Sequence, residues 1–220
     1  MPTILGIDEA GRGSVIGPLV VAGVMVDDNG EEELKRIGVK DSKLLTPAQR
    51  ERMYPLIKGV AKDVAVMRVS AKEIDEMRKR KNLNIIEAEK MAAIIRLLKA
   101  DTAYVDAPQV STHKFRDVLL QMAKNHTKIV AENYADKKFP ACSAASIIAK
   151  VERDRDVEEI KKIVGFDFGV GYSHDSRSIQ FVKDSLRKNT NLEWIRHSWV
   201  TVLELKGKQK QKALKEFQED

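Results

Sequence analysis

Two periodicities of apolar residues alternate along the chain, and each marks a different kind of element. Thr3 to Ile7 is a short β-branched run ending on the acidic pair Asp8-Glu9, and Leu19 to Val26 is a second run of strand composition. The two are expected to pair as neighbours. Between them lies Ala10-Gly11-Arg12-Gly13-Ser14-Val15-Ile16-Gly17-Pro18, whose glycines allow positive φ or close approach of a ligand to the backbone. Thr46-Pro47 and Ala48 to Ile57 read as a capped helix, with Thr46 at the N-cap and Pro47 at the first helical position. Val64 to Val69 follows as a third strand. Leu83, Ile86, Met91, Ile94, Ile95 and Leu98 recur on one helical face, which predicts an amphipathic helix from Asn82 to Lys99.

Ala103 to Asp106 supplies a fourth strand, and the spacing of Phe115, Val118, Leu119 and Met122 marks a helix before the apolar run Lys128 to Ala131. Ile147, Ile148 and Val151 give an inward face to a helix starting near Ser143, and Ile179, Val182 and Leu186 give one to a later helix. Three strands, then strands alternating with helices, imply a mixed sheet covered by helices in an α/β domain of residues 1–200. Residues 201–220 form a charged tail, expected to be helical or frayed.

Composition narrows the setting. A chain of 220 residues buries a sizeable core without staples, and its single cysteine, Cys142, excludes an internal disulfide. The N-terminus has no leader pattern and no stretch approaches the ~18 apolar residues of a membrane span, so a cytoplasmic, membrane-free protein is expected. Lysine and arginine total 39 against 33 acids, a surplus of +6 that favours a polyanionic partner without identifying one.

The candidate chemistry lies in acids. Asp8 closes one strand, and Asp106 closes another just before Pro108 breaks the pairing. Carboxylates at the ends of adjacent strands repel unless a cation neutralises them, and oxygen-only donors suit magnesium or manganese. Neither cysteine nor histidine stands at zinc-ligand spacing, since His113, His126, His174 and His197 are scattered.

Asp8-Glu9-Ala10-Gly11-Arg12-Gly13 with Gly17-Pro18 resembles the signature opening of the ribonuclease HII family. Further segments resemble the family in the same order: Lys40-Asp41-Ser42-Lys43-Leu44-Leu45-Thr46, Val105-Asp106, Ala135-Asp136, the run from Ser143 to Val151, and Gly171-Tyr172. The resemblance runs from about Thr3 to about Trp199. It implies a ribonuclease H-like fold, a five-stranded mixed sheet flanked by helices, with Asp8, Glu9, Asp106 and Asp136 as catalytic metal ligands. It also implies an endonuclease that cuts the RNA strand of RNA/DNA hybrids and cuts 5′ to ribonucleotides in duplex DNA, leaving 3′-hydroxyl and 5′-phosphate ends. Such cleavage needs an attacking water deprotonated near neutral pH and a stabilised leaving oxygen, and two Mg2+ or Mn2+ ions ~4 Å apart serve both needs. Removal of embedded ribonucleotides and of RNA primers would be its work in the cell.

On the same resemblance Gly11, Arg12 and Gly13 read the ribose 2′-hydroxyl, the group that separates RNA from DNA, and Tyr172 packs on the neighbouring sugar. Arg12 could also hold a phosphate, and taken alone it reads equally as a solvated turn arginine. The family commonly continues Gly-Tyr with proline, whereas this chain reads Ser173-His174-Asp175, which puts the rigidity of that loop in question. Lys43, Ser143, Ser146 and Lys150 are candidate phosphate contacts by position. Glu132 and Asp154 compete with Asp136 for the place of fourth acid, but the place of Asp136 before Phe139-Pro140 and the serine-rich helix is the one that resembles the family, while Asp154 lies well down that helix. Trp199 reads as a packing residue. A monomer is expected, and the sequence leaves open whether a sliding clamp binds the tail. A binding module of the same fold without catalysis is the competing reading. The sister ribonuclease HIII, with its extra N-terminal domain, fits poorly with a first acid at position 8.

Overall fold

Five strands, β1 (Thr3–Ala10), β2 (Leu19–Asp27), β3 (Asp63–Val69), β4 (Thr102–Asp106) and β5 (Lys128–Glu132), form one mixed sheet in the order β3-β2-β1-β4-β5. β1 pairs antiparallel with β2 and parallel with β4, and β5 continues parallel to β4. The structure is a computed structural model that describes residues 1–39, 45–108 and 111–207. Its helices are α1 (Asp28–Arg36), α2 (Pro47–Val60), α3 (Ala71–Arg78), α4 (Leu83–Leu98), α5 (Thr112–Ala123), α6 (Ala135–Lys138), α7 (Pro140–Val164) and α8 (Ser176–Lys188). A 3-10 turn at Leu192–Trp194 and a helical run over 200–207 complete the described chain.

The described residues divide into two compact units. The first takes in Met1–Arg12, Val20–Arg68 and Lys81–Asp154, and so holds the sheet apart from Leu19 and Val69. The second takes in Gly13–Leu19, Val69–Arg80 and the described residues from Arg155 onward.

In the first unit the sheet is covered on both faces, and two glycines set how closely. A Cβ on Gly6 would lie 2.0 Å from the backbone of Ala141, so only glycine lets the start of α7 rest against β1. A Cβ on Gly23 would meet Ile94 of α4 at 2.4 Å. Because Gly23 pairs with Ile7 while Gly6 pairs with Val24, the two glycines face opposite sides, and α7 and α4 cover opposite faces. On the α7 face, Val20, Ala22, Val24 and Val26 of β2 pack with Ala144, Ile147 and Ile148 of α7 and with Met53 and Ile57 of α2. The hydroxyl of Tyr54 and the guanidinium of Arg68 both donate to Glu152, which ties α2 and β3 to α7.

In the second unit Val15, Ile16, Val157, Ile160, Phe168, Phe181, Val182, Ile195 and Val202 form the apolar cluster. Arg196 is fully buried and donates from Nε to the Gly17 carbonyl at 3.0 Å. Trp199 lies between the guanidinium groups of Arg78 and Arg196, at 4.7 and 4.8 Å, which makes it the packing residue expected of it.

Most predicted elements are present. α4 starts after the N-cap Asn82 and ends at Lys99, which takes the left-handed conformation that closes the helix. α2 carries a capping box from Thr46 and Gln49, with Pro47 in its first turn. Three helices escape the apolar pattern: Leu34 is the only large apolar residue of α1, α3 is only eight residues long, and α6 has four. α7 begins at Pro140 rather than near Ser143, because a proline fits the first turn where its missing N–H is not needed. The tail is helical over 200–207, and residues 208–220 lie outside the described residues.

The close contact at Gly6 yields a stability prediction. Gly6→Ala sets a methyl against backbone that has no room to give, so about 1–3 kcal/mol of stability or more is lost. Denaturant unfolding of the variant checks this, and an unchanged midpoint would contradict the close seating of α7.

Candidate active site

Three of the predicted acids meet. Asp8 and Asp106 each stand one residue beyond the Ile7–Val105 pair of the parallel β1–β4 ladder, so backbone register alone sets them side by side. Asp136 reaches them from α6, entered through Tyr134 at φ 59°. The Ala135 N–H donates to Asp106 Oδ1 at 3.0 Å, and the Ser143 hydroxyl donates to the Asp136 carbonyl, so the start of this short turn is held twice. One carboxylate oxygen from each of Asp8, Asp106 and Asp136 lies within 4.8 Å of the others, with Asp8 and Asp136 buried and Asp106 half-buried.

Such crowding has an electrostatic consequence. Burial, reinforced by the Asp106 charge, pushes the Asp8 carboxyl up to about 7. Opposing this, Asp8 accepts hydrogen bonds from the Ser146 hydroxyl and from the Glu9 N–H, the latter at 2.7 Å, and feels the charge of Lys150. Lys150 donates to Ser146 Oγ at 2.7 Å, so Lys150, Ser146 and Asp8 form a line from α7 to β1. All three donors are hard carboxylates drawn inward despite their repulsion, which fits a divalent cation of the magnesium or manganese kind.

Glu9 stands apart from this trio. Strand alternation turns it to the α4 face, away from the Gly6 and Asp8 side. Burial raises its carboxyl well above the usual range, with Asp8, Glu87 and Asp106 adding to the effect, and its Oε2 is buried without a hydrogen-bond partner. Glu87 of α4, which sequence reasoning passed over, is wholly buried and takes a salt bridge from Arg12 Nε at 3.0 Å. Arg12 Nη2 also donates to Asn84 Oδ1 at 2.6 Å. The signal for Glu87 was present, since it lies four residues after Leu83 and four before Met91 on the apolar stripe.

The other predicted residues are spread more widely. Gly11, at φ 82°, and Arg12 belong to the first unit, as do the buried Ser143 and Ser146 and the half-buried Lys150. Lys43 lies outside the described residues. Gly13 and Tyr172 belong to the second unit, where Ser14 and Tyr172 form an antiparallel bridge. The loop carrying Tyr172 is well tied despite lacking the proline. Asp175 accepts from the N–H groups of Val170 and Arg177, Gly171 N–H donates to Ser178 Oγ, and the Gly171 carbonyl accepts from Val15 and Ile16. The competing acids are otherwise engaged, Glu132 with Lys138 and Asp154 with Arg50.

A mixed sheet in this strand order, with three carboxylates clustered where its β1–β4 ladder ends, has the architecture of the ribonuclease H-like fold with a candidate divalent-ion site. A family model described as Ribonuclease HII matches residues 5–202. The ribonuclease HII of Pyrococcus furiosus is 41% identical over 219 residues, covering 96% of each chain. Among solved structures, the ribonuclease H2 of Pyrococcus horikoshii superimposes with a TM-score of 0.87 at 37% identity, over 94% of this chain and 98% of that one. The PCNA:RNase HII complex of Archaeoglobus fulgidus matches with a TM-score of 0.84 at 42% identity, over 90% of this chain and 95% of that one. The chain belongs to the ribonuclease HII family, and with it to the metal-dependent ribonuclease H hydrolases.

The raised carboxyl of Asp8 links stability to pH. The metal-free folded protein holds a proton that the unfolded chain releases near pH ~4. The resulting stabilisation is complete below that pH and lost as pH rises through about 7. A divalent ion binds the ionised form and reverses the loss. The rise in thermal midpoint on adding magnesium or manganese is therefore expected to be larger at pH 8 than at pH 5, and an equal rise at both would contradict the assignment.

Proposed function

We propose that the chain cuts the RNA strand of RNA/DNA hybrids and cuts 5′ to single ribonucleotides embedded in duplex DNA, leaving 3′-hydroxyl and 5′-phosphate ends. The observation that carries this reading is the meeting of Asp8 and Asp106, side by side where the β1–β4 ladder ends, with Asp136 of α6. Those three carboxylates would hold the ions, with Glu9, turned to the other face of β1 yet close enough to feel the charges of Asp8 and Asp106, as the fourth ligand. Two magnesium or manganese ions held there would supply Lewis-acid charge, lowering the pKa of an attacking water and stabilising the departing 3′ oxygen. Ser146 and Lys150 hold the Asp8 carboxylate in place and temper its charge. Ser143, with its hydroxyl on the Asp136 carbonyl, fixes that turn.

Substrate choice falls to other groups. The turn Gly11-Arg12-Gly13 offers backbone N–H and C=O groups to the ribose 2′-hydroxyl, and Tyr172 supplies a flat ring for the adjoining sugar. Lys43 and Lys150 add charge for the phosphates. Removal of embedded ribonucleotides and RNA primers in the cytoplasm is the cellular work this chemistry suits. We read the enzyme as a monomer, with a sliding clamp as a partner on the strength of the Archaeoglobus fulgidus relative solved with PCNA.

One gel tests the reading. A DNA duplex carrying a single ribonucleotide, incubated with magnesium or manganese, is expected to be nicked 5′ to that ribonucleotide, while Asp8→Asn loses cleavage by about a thousandfold or more and keeps its fold. Binding without nicking by the unaltered chain would favour a non-catalytic module instead. Full activity in Asp8→Asn would sink the mechanism.

A further inference from the structure

The reading turn is held by a side chain that the cutting chemistry does not use. Arg12 lies between Gly11, at φ 82°, and Gly13, so its own backbone is flanked by residues that restrict it little. Its guanidinium is fixed instead, with Nε on Glu87 at 3.0 Å and Nη2 on Asn84 at 2.6 Å. Both partners stand three residues apart on α4, whose face packs on β1.

Glu87 is costly where it is. A fully buried carboxylate loses its hydration, and an apolar residue would continue the stripe of Leu83, Met91 and Ile94 without that cost. What an apolar residue cannot do is hold a guanidinium in one orientation. Two acceptors on a rigid helix match the planar fork of arginine and remove its freedom to swing. The salt bridge also leaves the Arg12 side chain 32% exposed, so the anchor is buried and the anchored turn reaches the surface.

We propose that Glu87 and Asn84 are positioning residues that clamp Arg12 and thereby hold the backbone groups of Gly11-Arg12-Gly13 in the geometry that recognises a ribose 2′-hydroxyl. The inference rests on the reading of that turn as the sugar-recognition element. Glu87 touches neither ion nor substrate in this role. Its effect passes through Arg12, and a misplacement of the turn by a fraction of an ångström is enough to weaken recognition.

The test compares binding of two fluorescent duplexes, one all-DNA and one with a single ribonucleotide, by anisotropy with magnesium present. It is made in the non-cutting Asp8→Asn background. That background is expected to prefer the ribonucleotide duplex. Adding Glu87→Gln, or Arg12→Gln, is expected to reduce the preference by about tenfold or more, and adding both to reduce it no further than either alone. A merely structural role would lower the thermal midpoint without touching this ratio. If Glu87→Gln fails to fold, Arg12→Gln and Asn84→Ala carry the same expectation. A preference that survives these changes, or losses that add in the combined variant, overturns the clamp alone. Equal binding of both duplexes by the Asp8→Asn background overturns the functional reading and the clamp with it.

Discussion

Three carboxylates crowded to within 4.8 Å repel one another, and the structure around them is arranged to withstand that repulsion. Register between parallel β1 and β4 brings Asp8 beside Asp106, so removing the crowding would mean breaking the ladder. Asp136 is added by a four-residue turn pinned at Asp106 and at Ser143. The counterweights are modest: a backbone N–H, a hydroxyl and one lysine on α7. They leave the Asp8 carboxyl at about 7, so near neutral pH a proton and a divalent cation compete for it.

The close seating of α7 on β1 is what allows the counterweights to reach. Gly6 removes the side chain that would hold Ala141 away, and α7 then carries Ser143, Ser146 and Lys150 past the acids at helical spacing. Strand alternation divides the next residue off. Asp8 faces α7 and the cutting chemistry, while Glu9 faces α4, beside the Glu87 that holds Arg12. The two faces of β1 at this point thus lead to the acid cluster on one side and to the Glu87–Arg12 salt bridge on the other.

Much of this was legible in the sequence because its signals are local. The strand-end position of Asp106 follows from its apolar run, whereas β1 runs two residues past Asp8 to Ala10 because β2 goes on pairing with it; α4 is bounded by Asn82 and Lys99 as its periodicity requires. The turn bearing Asp136 is too short to show a period, so its acid was found through resemblance alone. α1 was invisible because one large apolar residue makes no stripe, whereas α3 had a readable start in Ser70 and Glu73. Glu87 and Gly6 were present as anomalies, a charge on an apolar face and a glycine inside a strand. Their partners, Arg12 and Ala141, are 75 and 135 positions away respectively and only the fold brings them together.

The central claim is that Asp8, Asp106 and Asp136 form one divalent-ion site. Manganese titration followed by electron paramagnetic resonance, on the unaltered chain and on Asp136→Asn, tests it most directly. Asp136 is the member supplied from outside the β1–β4 pair, so the account predicts that its loss weakens ion binding by about tenfold or more while the fold persists. Unchanged manganese affinity in Asp136→Asn would contradict it.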